Sequence, residues 1–340
     1  MKKVLVIGGQ GFIGFHLIHA LKQRNYEVVI ASRKLQLDAE FYGFPVIHFD
    51  IAHFSDDAIL SVLRDFQVVV FGGGADDRTM PKEDPKAFFY RENVVPCVKL
   101  ATLGKQVQLE KLIILGSYFT YFNRMKPEWK MAERHPYVRS RVLQQEETIK
   151  AADKQVKVEI LELPYIFGSA PKMIPLWKPL VKYINSTPWV FYTRGGTAMI
   201  GVEEVAKAIV GAIEYRGSNS IWQIGAENHT WAAMITLFGE ALGKKRKTVM
   251  LPTTLVRFFS WLTRWFFKIT GKKSGLDIYH FISTQTAQTY LDTNESMQEL
   301  QYGQGDLKKS IKETVRASGL LDRLVTKKAF FITKKAFSNT

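Results

Sequence analysis

The chain starts with a strand-sized apolar run, Val4 to Ile7, that ends in Gly8-Gly9-Gln10-Gly11-Phe12-Ile13-Gly14. Directly behind it Ile13, Leu17 and Leu21 recur at helical spacing. Glycine at 8, 11 and 14 allows a tight turn, close approach of backbone to a bound group, and close packing of helix on strand. The helix that begins there points unpaired N–H groups and the positive end of its dipole outward, an arrangement suited to a diphosphate. Strand, glycine turn and helix in this order predict a βαβ unit that binds a dinucleotide, with Gly8, Gly11, Phe12, Ile13 and Gly14 around the pyrophosphate.

The next two-thirds of the chain alternates β-branched runs with amphipathic stretches, the pattern of a doubly wound parallel sheet. Strands are predicted at Lys3–Ile7, Glu27–Ala31, Pro45–Phe49, Val68–Phe71, Lys111–Leu115 and Val158–Leu163, with a helix at Val202–Glu214 and a further strand at Ile221–Ile224. The reading is an α/β Rossmann-type fold with a smaller, interleaved C-terminal substrate domain. Residues 1–165 form the nucleotide-binding part and 197–226 return to it. Residues 166–196 and 227–320 form the substrate part, and 321–340 a basic tail.

Cys97 is the only cysteine, so no intrachain disulfide can form and a reducing, cytoplasmic setting is expected. The first apolar run stops at Gly8-Gly9, too short for an export signal. Hydrophobic residues at 46% and charged residues at 23% are ordinary for a globular protein. The formal charge of +15 is not evenly spread. Nine basic residues and no acid lie between Gly243 and Gly275, and five more follow Asp322. The basicity therefore belongs to two local patches.

The glycine spacing, with Phe-Ile before the last glycine, resembles the extended short-chain dehydrogenase/reductase superfamily and within it the NAD(P)-dependent epimerase/dehydratase-like proteins. In NAD-specific sites an acid ends the second strand and holds the ribose 2′-hydroxyl. Here the strand ends Ala31-Ser32-Arg33-Lys34. Arg33, helped by Lys34, favours NADP(H) over NAD(H), because a cation accommodates a 2′-phosphate. The resemblance also implies an adenine contact at Asp50-Ile51 and backbone approach to the cofactor at Gly73 and Gly74. Asn93 would support the site from the next helix, and Pro164 and Ile166 would pass the nicotinamide.

The resemblance implies a catalytic serine, a tyrosine and a cation four residues later. The tyrosine exchanges a proton with the substrate oxygen while hydride moves to or from the nicotinamide. Ser117 aligns with the serine that orients the carbonyl. Tyr137-Val138-Arg139-Ser140-Arg141 aligns with Tyr-x-x-Ser-Lys, so Arg141 stands where the family has lysine. The i, i+4 spacing keeps Tyr137 and Arg141 on one helical face. Arginine supplies charge and bonds to ribose hydroxyls but does not relay protons. Sugar dehydratases place an Asp-Glu pair after the serine; here Tyr118-Phe119 occupies that place, leaving carbonyl reduction, alcohol oxidation or epimerisation. Asp76-Asp77-Arg78 and Glu133-Arg134-His135 read as solvated loops, and the histidines His16, His19, His48 and His53 as surface or packed groups with no metal-ligand spacing. Arg194 reads equally as a diphosphate contact or a surface residue.

Within 254–268, Arg257, Ser260, Arg264 and Lys268 share one helical face, and Leu255, Phe258, Phe259, Leu262, Trp265 and Phe266 spread over the other. Such a helix packs its apolar face inward as core or lid, forms a dimer surface, or lies in a membrane interface with the basic tail in support. The interspersed charges exclude a transmembrane span. The expected partner is a small-molecule substrate: a ketone or secondary alcohol of a sugar or of a bulky lipophilic molecule. A homodimer is in keeping with the resemblance. The rival readings are a non-catalytic cofactor-binding scaffold and a nucleic-acid-binding member of the same fold, the latter without a recognition motif.

Overall fold

The structure is a computed structural model that describes residues 2–34, 40–217 and 220–320. The tail, 321–340, lies outside the described residues. Fourteen strands occur among them: β1 (Lys3–Ile7), β2 (Glu27–Ser32), β3 (Glu40–Phe41), β4 (Phe44–His48), β5 (Val68–Phe71), β6 (Lys111–Ser117), β7 (Lys157–Leu163), β8 (Tyr165–Phe167), β9 (Trp189–Thr193), β10 (Gly196–Gly201), β11 (Ser220–Gln223), β12 (Glu227–Thr230), β13 (Lys247–Leu251) and β14 (Gln288–Thr289). The main sheet has the order β11-β7-β6-β5-β1-β2-β4-β3. All its pairings are parallel except the short β3–β4 hairpin.

The central strands β1 and β5 are apolar on both faces, as a sheet covered on both sides requires. On β1, Val4 and Val6 face one core with Leu17, Leu21 and Ile209, while Leu5 and Ile7 face the other with Leu100 and Ile160. The helices that supply these layers are α1 (Phe12–Gln23), α2 (Val95–Gln106), α3 (Pro136–Ala152) and α4 (Val202–Glu214). α1 packs on α4, and α2 on α3. The strands expected from sequence appear with ends moved by no more than two residues, and the helix over 202–214 has the expected bounds.

The chain leaves the main sheet after β7. β8, β12 and β14 gather around β10, β9 pairs with β13, and β11 rejoins the main sheet beside β7. A third core, with Phe167, Trp231, Phe238 and Ile311, fills this second region.

The helix expected over 254–268 is α5 (Thr253–Ile269), next to α6 (Ile278–Gln285). An inward apolar face is not what it forms. Thr253, Val256, Thr263 and Phe267 are the partly covered positions, and Ser260 is its one buried residue. The large aromatic side chains point to solvent. The stripe that meets the body is mostly small, with Phe267 its one bulky member, and the other aromatic residues lie away from it.

Candidate active site

The glycine turn closes as the spacing requires. The Gly11 N–H donates to the Gly8 carbonyl at 2.9 Å, and α1 begins at Phe12 with no side chain capping its first turn. Gly8 has φ +88°, a left-handed conformation that favours glycine. A Cβ at Gly14 would lie 2.3 Å from the Gly8 carbonyl oxygen. The end of β2 folds against this turn: the Ser32 hydroxyl donates to Gln10 Oε1 at 3.0 Å, and the Lys34 N–H donates to Ser32 Oγ. Arg33 is exposed, its guanidinium 3.5 Å from Glu92. At the end of β4, Asp50 accepts from the Ala52 N–H and from His53 Nδ1 at 2.9 Å. Burial raises the Asp50 carboxyl, but these two hydrogen bonds and the His53 charge outweigh it and hold it below its ordinary value. Ile51 beside it is buried.

β5 runs into Gly72-Gly73-Gly74, where Gly74 has φ +98°. Asn93 holds this loop from a π-helical turn, Tyr90–Val94. Its Oδ1 accepts the Ala75 N–H at 2.8 Å and its Nδ2 donates to Ser140 Oγ at 3.0 Å. Ser140 in turn donates to the Tyr137 carbonyl at 2.7 Å. The glycine loop is thereby pinned to the helix that carries the tyrosine.

Tyr137 and Arg141 meet on α3. Arg141 Nε donates to the Tyr137 hydroxyl at 3.3 Å. The rest of the guanidinium reaches Gln144 Oε1 at 3.0 Å and the Leu115 and Ala75 carbonyls at 3.4 Å. All four acceptors are neutral, so a buried cation stands against the phenol. Ser117 sits buried at the end of β6, and Phe119, two residues on, meets the Tyr137 ring edge-on at 6.4 Å. Tyr118, in the dehydratase acid position, bonds Thr197 Oγ1 at 2.9 Å. Burial pushes the Tyr118 hydroxyl up to about 12, so it stays protonated at neutral pH.

Two segments read as solvated loops each hold one covered residue. Asp77 is half-buried: burial, then the neighbouring Asp76 charge, raise its carboxyl above the ordinary value, with Arg78 and Arg141 partly offsetting. His135 is buried, and its Nδ1 accepts the Asp277 N–H at 3.0 Å. Burial holds that imidazole down to about 4, hence neutral. Next to it the Tyr137 N–H donates to the Gly275 carbonyl at 3.0 Å. The covering residues come from 274–277, too far along the chain for local sequence to reveal. Pro164 is buried between β7 and β8, and the Ile166 carbonyl accepts from Trp177 Nε1 at 2.8 Å. Arg194 is exposed in the β9–β10 turn. His16 bonds the Ser169 carbonyl and His19 the Phe15 carbonyl. No group of three metal-ligating side chains forms among the described residues.

The family model described as NAD dependent epimerase/dehydratase family matches residues 4–225, from β1 through β11. The chain belongs to that family. Its fold recurs in solved structures at low identity. That of gox2253 aligns with a TM-score of 0.75 at 14% identity over 93% of this chain and 98% of that one. The UDP-glucuronic acid 4-epimerase of Bacillus cereus, solved with NAD, gives 0.67 at 17% over 94% and 99%. The UDP-Glc/GlcNAc 4-epimerase of Campylobacter jejuni gives 0.68 at 16% over 94% and 99%. Comparison with curated proteins finds no match.

The residues present fit the dinucleotide that this epimerase/dehydratase family uses. A side chain at Gly14 would run into the Gly8 carbonyl, and one at Gly74 would run into Asn93 Oδ1 at 2.4 Å. Both turns therefore require glycine for the chain's own close packing, and they leave backbone without side chains at the ends of β1 and β5.

Proposed function

We propose that this family member is a nicotinamide-dependent oxidoreductase or epimerase that takes NADP(H) in preference to NAD(H). Its substrate is a ketone or secondary alcohol on a sugar or a bulky, partly apolar molecule. The observation that carries the reading is the Tyr137–Arg141 contact at 3.3 Å. Because Arg141 donates to the phenol oxygen, that oxygen's own hydrogen is left for the substrate. In the reducing direction Tyr137 gives this proton to the carbonyl oxygen, and the guanidinium stabilises the phenolate left behind. In the oxidising direction Tyr137 takes it back. Ser117 orients the oxygen by a hydrogen bond. A dinucleotide held by its diphosphate at the glycine turn would supply or accept the hydride. The absence of an acid–base pair beside Ser117 argues against elimination. NADP(H) is favoured by Arg33, an exposed cation at the β2 end where an acid would select NAD. Sugar substrates are suggested by UDP-sugars in the solved neighbours, such as MoeE5 with UDP-glucuronic acid and NAD.

The test is fluorescence titration with NADPH and NADH, followed by NADPH oxidation over a panel of keto-sugars and lipophilic ketones. Tyr137→Phe is expected to lower kcat/KM by about 10²–10⁴-fold while leaving NADPH affinity nearly unchanged. Failure to bind either dinucleotide, or turnover that survives Tyr137→Phe, would overturn the proposal. A second reading, a cofactor-binding scaffold, rests on Arg141 standing in the lysine position. It predicts tight NADPH binding with no turnover across the panel.

A further inference from the structure

α5 shows solvent the face that an amphipathic helix normally buries. Phe258, Phe259, Trp261, Trp265, Phe266 and Ile269 each keep more than half of their surface exposed. Leu255 and Leu262 are exposed too, so eight large apolar side chains on one 17-residue helix face outward. A cluster of this kind on a water-soluble chain marks an interaction site.

Charge selects the partner. At 100° per residue, Arg257, Arg264 and Lys268 fall together on one flank of α5, between its inward stripe and its apolar face. Lys272 and Lys273 follow at its C-terminal end, with the Lys272 ammonium 5.7 Å above the Phe266 ring. From Lys244 to Leu276 there is no Asp or Glu. A cleft of about 570 Å³ opens between α5 and the body, lined by Trp261, Trp265, Arg264, Lys268, Lys272 and Arg134. Its one acid, Asp277, is already paired with Arg264 at 3.3 Å. A twofold contact with a second copy would bring two such cationic flanks into one interface, because an isologous interface uses one patch twice. An anionic lipid surface complements it, and Trp, Phe, Lys and Arg arranged in this way suit the boundary between headgroups and acyl chains. No described helix is long and apolar enough to cross a membrane, so the contact is one of lying on the surface.

We infer that α5 docks this protein on an anionic lipid bilayer, with its aromatic face at the acyl boundary and its basic flank against the lipid phosphates. Pro136 lines the same cleft and Tyr137 is the next residue, so docking places the candidate active site beside the bilayer.

Flotation of the full chain with vesicles tests this. Phosphatidylcholine vesicles with and without phosphatidylglycerol are compared, at low and raised salt. Preference for the phosphatidylglycerol vesicles is expected to be about tenfold or more and to shrink with salt. Phe258→Ser with Trp265→Ser should lower binding to both kinds of vesicle, whereas Arg257→Glu with Lys268→Glu should abolish the preference for anionic ones. Every one of these side chains is exposed, and unchanged thermal unfolding checks that the variants fold. Equal binding of wild type to neutral and anionic vesicles would overturn the inference. So would variants that bind like wild type, or a concentration-dependent dimer dispersed by the apolar variant with no vesicle binding. Cofactor affinity and turnover in solution are read separately and do not bear on it.

Discussion

At the scale of single residues, the proposed preference for NADP(H) turns on Arg33. The pair it makes with Glu92 is long and solvent-exposed, and such pairs contribute little, so the guanidinium is free to swing onto a 2′-phosphate. A charge-assisted contact of that kind is worth about 1.5–3 kcal/mol. Arg33→Ala should therefore weaken NADPH binding by roughly 10- to 100-fold while barely changing NADH. Equal weakening of both, or of neither, in the same fluorescence titration would count against the assignment. The Tyr137–Arg141 contact was legible in sequence, because a four-residue spacing on a helix dictates it. The buried states of Asp77 and His135 were not. Both look like loop residues locally, and their surroundings are set by chain that lies far away in sequence, for His135 the segment ending at Asp277.

Among the elements, the π-helical turn at Tyr90–Val94 is the joint between the Gly72–Gly74 loop and the helix that carries Tyr137. Single π-turns are uncommon and often mark functional sites. Here the turn carries Asn93, whose side chain bonds both Ala75 and Ser140. Asn93→Ala leaves the buried Ala75 N–H unmatched and takes one of the two bonds of Ser140, and should cost about 1–3 kcal/mol. Thermal unfolding should then shift down by several degrees, with cofactor affinity reduced because the Gly74 loop is released. A variant as stable as wild type would show that the joint carries no weight. The sequence placed the parallel strands well, since β-branched runs bounded by turn residues are strong local signals. It did not reveal β8, β10, β12 and β14, which are two to six residues long and depend on one another for pairing. For α5 the 3.6-residue period was legible but the direction was not. The inward stripe of mostly small residues was hidden beneath a larger and more conspicuous apolar face.

For the molecule as a whole, one buried acid sets a pH dependence. Glu159 on β7 is fully buried; it accepts from Trp222 Nε1 at 2.8 Å, and its other oxygen lacks a hydrogen-bond partner, with the Lys157 ammonium 3.8 Å away. Burial pushes its carboxyl up to about 7, against the pull of Trp222, Lys111 and Lys157. Between about pH 4.5 and 7 the folded chain then holds a proton that the unfolded chain has released. Its contribution to stability is present below that window and is lost as pH rises through it, by up to about 3 kcal/mol. Buried His135, held near 4, acts in the opposite sense over the same range, so Glu159→Gln should make stability in denaturant titrations rise more with pH there than in wild type, and an unchanged slope would place the proton elsewhere. Neighbouring β11 belongs to the same edge of the sheet but is made much later. About sixty residues separate the end of β7 from β11, so at 5–20 residues per second a ribosome takes roughly 3–12 s to cover the interval. Throughout that time β7 is an open apolar edge on a nascent chain, able to pair with whatever strand it meets first.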